Sequence, residues 1–169
     1  MRGLKQTSST VAIGFSVSET GANTFTQGSS DLNLSPLDNE VFVVLAVNME
    51  IEMADAIGAA DTAVNASLTT TSQTAVQSLA NTNCIAVNNC YIRGAGLIDG
   101  AVGFLTGGAE SPPASLEFLG IIATNDFFVQ VKGANNLLAK GVSGKIYGYR
   151  ARADASIYSA LVQGEVLSA

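Results

Sequence analysis

From Glu40 to Met53 the chain alternates with a period of two. The odd positions Val41, Val43, Leu45, Val47, Met49, Ile51 and Met53 are all apolar. The even positions begin apolar (Phe42, Val44, Ala46) and turn polar at Asn48, Glu50 and Glu52. A period of two is that of a β-strand, whose successive side chains point to opposite faces. At about 3.4 Å per residue the run spans roughly 44 Å, well beyond the common strand of five or six residues. The pattern predicts one face buried throughout. It predicts a second face buried for half its length that then meets water or another subunit. Such a strand belongs in a packed β-sandwich.

The rest of the chain supplies further strands. Val11 to Val17 alternates, Gly21-Ala-Asn23 turns the chain, and Phe25 and Thr26 form a strand fragment. Leu32, Leu34 and Leu37 nearly alternate, and Pro36 stops pairing before the long strand. Val64 to Thr71 extends, helped by Thr69, Thr70 and Thr71. Ser72 to Ala80 reads as a short helix capped by Ser72, a loop decoration between strands, and Ala56 to Ala60 as loop or a short helical turn. Cys84 to Val87 and Cys90 to Arg93 flank a turn at Asn88-Asn89. Leu97 to Leu105, Leu116 to Ala123, Phe127 to Val131 and Val142 to Ala151 complete the series. Asp154 is a helix N-cap, Ile157 and Leu161 form one helical face, and Gly164 ends a helix over about 155–163. Eight to ten short strands with Gly, Asn and Pro turns predict an all-β antiparallel sandwich. Residues 1–9, polar and basic at Arg2 and Lys5, read as a flexible arm. Residues 10–169 read as a single domain of adequate size for a full core.

Charge and composition narrow the function. Only 13% of residues are charged against 47% hydrophobic. A small, neutral, polar surface is cheaply desolvated, which suits a subunit that packs on copies of itself. Histidine is absent, which excludes Ser-His-Asp and Cys-His catalysis and histidine metal ligation. Tryptophan is also absent, so a sugar-stacking platform needs Tyr or Phe. Between Gln6 and Ile92 stand eight acids and no Lys or Arg, whereas five of the eight bases follow Asp126. Such opposite patches can complement one another between subunits or lie solvated on one monomer. After Arg2 and Lys5 comes Gln-Thr-Ser-Ser-Thr where a leader needs an apolar stretch, so no signal peptide is expected. The longest apolar run, Val41 to Val47, is too short to span a bilayer.

Candidate chemistry is sparse. Cys84 and Cys90 flank Asn88-Asn89, so a small disulfide loop is one reading and two reduced thiols the other. Two thiols cannot complete a zinc site within one chain. Glu50 and Glu52 share a strand face near Asp55 and Asp61, a pattern for calcium or acid–base work that more often marks solvated surface. Gly94 to Gly100 is glycine-rich without the spacing of a phosphate loop. Asn65-Ala-Ser67 matches a glycosylation acceptor, which without a leader reads as chance. Lys145, Tyr147 and Tyr149 with Arg150 and Arg152 mix basic and aromatic residues, but on opposite strand faces, so specific nucleic-acid contact is not expected. No catalytic, cofactor-binding or metal-binding residue is assigned, and the chain reads as a non-enzyme.

The long early strand Asn39–Glu52 and the late strands Gly120–Gly133 and Lys145–Arg152, behind a polar arm, resemble the single jelly-roll coat proteins of viruses. The resemblance lies in size, strand density and strand character. It implies eight strands in two facing sheets, a shell of many copies, and no catalytic residues. It implies residence in the virion, assembly in the host cytoplasm, and copies of itself and other virion proteins as partners. Candidate assembly contacts are the bases Arg2, Lys5, Lys132, Arg150 and Arg152, the strand residues Phe42 and Val44, and the helix residues Ile157 and Leu161. A carbohydrate-binding or adhesive sandwich is the alternative, followed by an extracellular filament subunit.

Overall fold

The computed structural model describes residues 3–95, 104–107 and 116–168. Among them run β1 (Leu4–Gln6), β2 (Val11–Ser18), β3 (Thr26–Asp31), a 3-10 turn at Pro36–Asp38, β4 (Glu40–Ile51) and β5 (Thr62–Thr69). There follow β6 (Cys84–Arg93), β7 (Phe104–Gly107), β8 (Gly120–Ile122), β9 (Asp126–Ala134), β10 (Gly141–Ala153) and the helix α1 (Ala155–Leu167). The strands form two antiparallel sheets. The first has the order β2-β10-β4-β8, with β1 alongside the far end of β10. The second has the order β3-β9-β5-β6-β7. The fold is an all-β sandwich with a C-terminal helix.

The main core lies between the sheets. Phe15, Phe42, Val44 and Ile146 from the first sheet meet Val64, Leu68, Phe127 and Val129 from the second. Phe15 and Phe127 pack edge to face with ring centroids 6.0 Å apart, the arrangement their quadrupoles favour.

The long strand departs from its sequence pattern in one decisive respect. Ala46 pairs with Tyr147 and Val44 with Gly148, so Leu45 is an extra residue, a β-bulge. One extra residue moves every later side chain to the other face. Before the bulge, Phe42 and Val44 face the other sheet while Val41 and Val43 face outward. After it, Val47, Met49 and Ile51 take over the inward positions. The odd residues therefore do not share one face, as unbroken alternation predicts.

The outward Val41 and Val43 are not left in water. α1 crosses them, and Leu4, Tyr149, Ala151, Ala153, Ile157, Tyr158, Leu161 and Val162 complete a second apolar cluster. The helix outruns its expected end, passing Gly164 to reach Leu167. Glu165 explains the extra turn. Its carboxylate, although buried, accepts the amides of Ala123 at 2.8 Å and Thr124 at 2.9 Å. Asp154 occupies the N-cap position, but its side chain makes no capping bond. Within the expected arm, residues 4–8 are held against β10. Leu4–Gln6 pairs with Ala151–Ala153, and the amides of Thr7 and Ser8 reach the Arg150 carbonyl.

The stretch after β5 carries no helix over Ser72–Ala80; it lies as an irregular cover on the second sheet. Its attachment is polar. Gln130, fully buried, accepts from the Ser67 hydroxyl at 2.7 Å and donates to Thr69 Oγ1 and Gln27 Oε1 at 2.7 and 2.9 Å. The cover then binds this layer: the Gln77 amide donates to Ser67 Oγ and the Gln73 amide to Gln27 Oε1. Replacing Gln130 by Ala takes a partner from two buried hydroxyls, Ser67 and Thr69, and from half-buried Gln27. We expect Gln130→Ala to cost about 2–3 kcal/mol, read by urea unfolding, with the protease sensitivity of residues 70–83 raised. An unchanged midpoint would show that water replaces the amide.

Candidate functional site

Three surfaces concentrate polar or exposed groups. The first is the open half of the first sheet's outer face, beyond the reach of α1. Here Ser16 pairs across to Ser143 and that to Glu50; Gly14 pairs to Lys145 and that to Asn48. With Tyr147 these residues line a groove of about 640 Å³. Glycine at position 14 leaves the groove open toward the sheet edge.

The second surface is the end of the sandwich where the β2–β3, β4–β5 and β9–β10 connections meet. Asn136, 5% exposed, binds all three together. Its amide accepts from the Asp55 N–H at 2.9 Å and donates to the Ala63 carbonyl at 2.8 Å, and its backbone exchanges bonds with the Asn23 side chain. Buried Glu19 accepts the amides of Gly133 and Lys140 at 2.7 and 2.9 Å. Asp55 accepts Lys140 Nζ at 2.6 Å and the Leu137 amide at 2.8 Å. The Lys140 bond, then the Leu137 amide, hold the Asp55 carboxyl below the usual carboxylate range. This rigid base displays apolar side chains: Met53, Leu137 and Leu138 are 63%, 75% and 69% exposed.

A depressed carboxylate stabilises the fold above its unfolded value, and that contribution is lost as pH falls through the depressed one. Asp55→Asn should therefore destabilise the chain at neutral pH, and the gap to the parent should close below the ordinary aspartate range. A gap independent of pH would assign the effect to geometry instead of charge.

The third surface is the seam between α1 and β8, a cavity of about 270 Å³ lined by Asn83, Ile85, Leu119, Leu161 and Glu165. Burial pushes the Glu165 carboxyl up, against the pull of the Ala123 and Thr124 amides. Its charge is tolerated only because those amides face it. Glu165→Ala leaves two amide donors without their acceptor, and we expect a loss of about 2–3 kcal/mol together with fraying of the last helical turn, measured by hydrogen exchange. Exchange unchanged over 160–167 would sink the tether.

The sequence-derived candidates scatter over these surfaces. Phe42 and Val44 are 1% and 0% exposed within the intersheet core, so they are packing residues and not surface contacts. Ile157 and Leu161 lie against the second cluster under α1. Lys5 and Lys132 are exposed, and Arg2 lies outside the described residues. Arg150 donates to the Leu32 carbonyl at 2.8 Å, and Arg152 pairs with Asp38 at 2.8 Å. Together with Lys140–Asp55, the latter pair joins early acids to late bases within one chain. The charge split along the sequence is thus partly closed inside the monomer, because β10 lies beside β4.

Cys84 and Cys90 belong to one continuous strand. Asn88 and Asn89 pair with Ala66 and Asn65 instead of turning the chain. Six extended residues separate the sulfurs by about 20 Å, and no disulfide joins them. Tyr147 faces the groove whereas Tyr149 packs under the helix. Asp61 is engaged by the amides of Ala95 and Gly94 and by Arg93, which hold its carboxyl low. Those amides therefore face a protein carboxylate, not a phosphate; Gly96–Gly100 lie outside the described residues. Among the described residues no three metal-ligating groups converge, so Glu50 and Glu52 gain no third ligand from Asp55 or Asp61. Asn65 and Ser67 sit mid-strand between β6 and β9, with Ser67 buried. The described residues include no helix long and apolar enough to cross a membrane.

Sequence reasoning did not single out Glu19, Asn136, Gln130 or Glu165, whose roles depend on partners 41 to 121 residues away. No protein-family model, no curated protein and no solved structure matches this chain.

Proposed function

We propose that the chain is a self-assembling structural subunit of jelly-roll type, a coat subunit of a virus shell. The observation that carries this reading is the nested pairing of its strands. β2 pairs with β10, β3 with β9, β4 with β8 and β5 with β6. First meets last, second meets next to last, and so inward. That order describes one long antiparallel ribbon folded over itself into two facing sheets, the winding of a jelly roll. β1 and β7 are additions at its margins.

Jelly rolls serve shells and lectins alike, so the winding alone does not choose between them. Two features favour a shell. The loop end around Asn136 is cross-braced yet exposes Met53, Leu137 and Leu138, apolar groups that a subunit contact would cover. Three acids, Asp38, Asp55 and Asp61, are already paired with Arg152, Lys140 and Arg93 within the chain, so a contact need not desolvate them unpaired.

Light scattering of the purified chain, with electron micrographs of the same sample, tests the proposal. Closed particles, rings or tubes are the expected result. A monomer at every concentration would overturn it. The second reading, a carbohydrate-binding sandwich, rests on the groove of Tyr147, Asn48, Glu50 and Lys145. It requires glycan binding that Tyr147→Ala abolishes.

A further inference from the structure

We infer that β2 is an interface strand, and that its occupant is β2 of a second copy, joined antiparallel across a twofold axis at Gly14. The inference rests on the assembly reading and names one of its contacts. An edge strand directs the N–H and C=O of every second residue away from its sheet, a row that proteins ordinarily blunt with charge, proline, bulges or shortness. Three other edges are blunted. β1 and β8 have three residues each, and β3 ends at Asp31. β2 has none of these devices. Its eight residues, Val-Ala-Ile-Gly-Phe-Ser-Val-Ser, carry no charge and no proline, and pair with β10 in unbroken register. Among the described residues its other edge has no strand beside it.

The side chains fit self-pairing. Residues directly opposite in an antiparallel pair share a face. With Gly14 opposite Gly14 of the copy, Val11 faces Val17 and Ile13 faces Phe15 on the inner side. Ala12 faces Ser16 on the outer side. Apolar therefore meets apolar, small meets small, and no like charges meet. Val11 is 41% exposed, and Ile13 and Val17 are half-buried where they pack on the main core. Pairing covers them and carries the core across the axis. Nothing crowds the axis: a Cβ added at Gly14 would find only the Gly144 carbonyl within 4 Å, at 3.9 Å.

The same geometry provides the test. Opposed residues lie about 4.5–5.5 Å apart at Cα, inside the roughly 4.4–6.8 Å that a disulfide spans. Gly14→Cys, in the full-length chain with Cys84→Ser, should form a covalent dimer when glutathione disulfide takes up the electrons. Lys145→Cys in the same background is the control. One strand further from the axis on each side, its copies stand about 14 Å apart and should stay unlinked. Gly14→Lys, which places two ammonium groups at the axis, should lose the dimer while its circular dichroism is unchanged.

Equal cross-linking at positions 14 and 145 would mean random collision and overturn the interface. Large particles without a link at position 14 would overturn it too, yet leave the shell reading standing. A wild-type chain that remains monomeric would end both.

Discussion

Gly148→Ala should prevent the chain from reaching its native state, or cost more than about 4 kcal/mol, the range reserved for outright steric conflict. Gly148 lies on the central strand β10, just where the register shifts opposite Leu45. A Cβ there would collide with the Val43 carbonyl oxygen and approach Phe42 Cε1 and Cζ at 2.6 and 2.8 Å. Neither neighbour can yield. The carbonyl belongs to the adjacent strand's backbone, and the ring is locked in the core. Glycine is needed here for close approach, so that the bulged strand can lean against β10. Gly14→Ala is the built-in control. Its added methyl touches only the Gly144 carbonyl at 3.9 Å, so its stability should stay within about 0.5 kcal/mol of the parent. Urea unfolding of the two variants measures the contrast. Comparable midpoints would show that the bulge can slide to make room.

Phe42→Ala should cost about 3–5 kcal/mol, the usual range for truncating a buried aromatic ring. Phe42 is 1% exposed and lies over Gly148. Its loss opens a cavity in the intersheet core beside the Gly148 backbone, which is held in the sheet and cannot move in to fill it. The readout separates two roles for this side chain. A core role lowers the stability of the isolated monomer at every concentration. A surface role would leave the monomer unaffected and weaken assembly alone. The structure requires the first outcome, and a stable monomer with impaired assembly would refute the packing described. Since the Phe42 ring supplies two of the atoms that crowd position 148, the double variant should cost less than the sum of the two.

The fold class was legible because β-strands announce themselves locally. β2, β4, β5, β9 and β10 each carry enough alternating or β-branched residues to be read from the chain alone, and α1 begins at the residue its Asp154 and Ile157–Leu161 spacing indicate. Where that reading failed, the cause was a partner distant in sequence. The Leu45 bulge has no local signature, since Val41 to Val47 is apolar on both faces and a slip of one residue leaves the pattern intact. Asn88-Asn89 has the chemistry of a turn, yet pairing with Ala66 and Asn65 of β5 keeps it extended, and the Asn88 side chain donates to the Met49 carbonyl across the sandwich. Gln27-Gly-Ser-Ser30 lacks strand character and becomes β3 by pairing with β9.

The candidate site was less legible for a related reason. A polar residue looks the same in sequence whether water or a buried partner satisfies it. Ser67, Thr69 and Gln130 have the pattern of an exposed sheet face, and only the cover of residues 70–83 makes them interior. Glu165 reads as solvated charge, and only the Ala123 and Thr124 amides make it a tether.

Alternating hydrophobicity, missing histidine and low charge thus determined by themselves an all-β sandwich without histidine chemistry, since periodicity and residue inventory are local properties. Which face each strand buries, how far α1 runs and which acids meet which bases were decided by tertiary structure. Each depends on register between segments far apart in the chain, and register is a property of the pair and not of either strand.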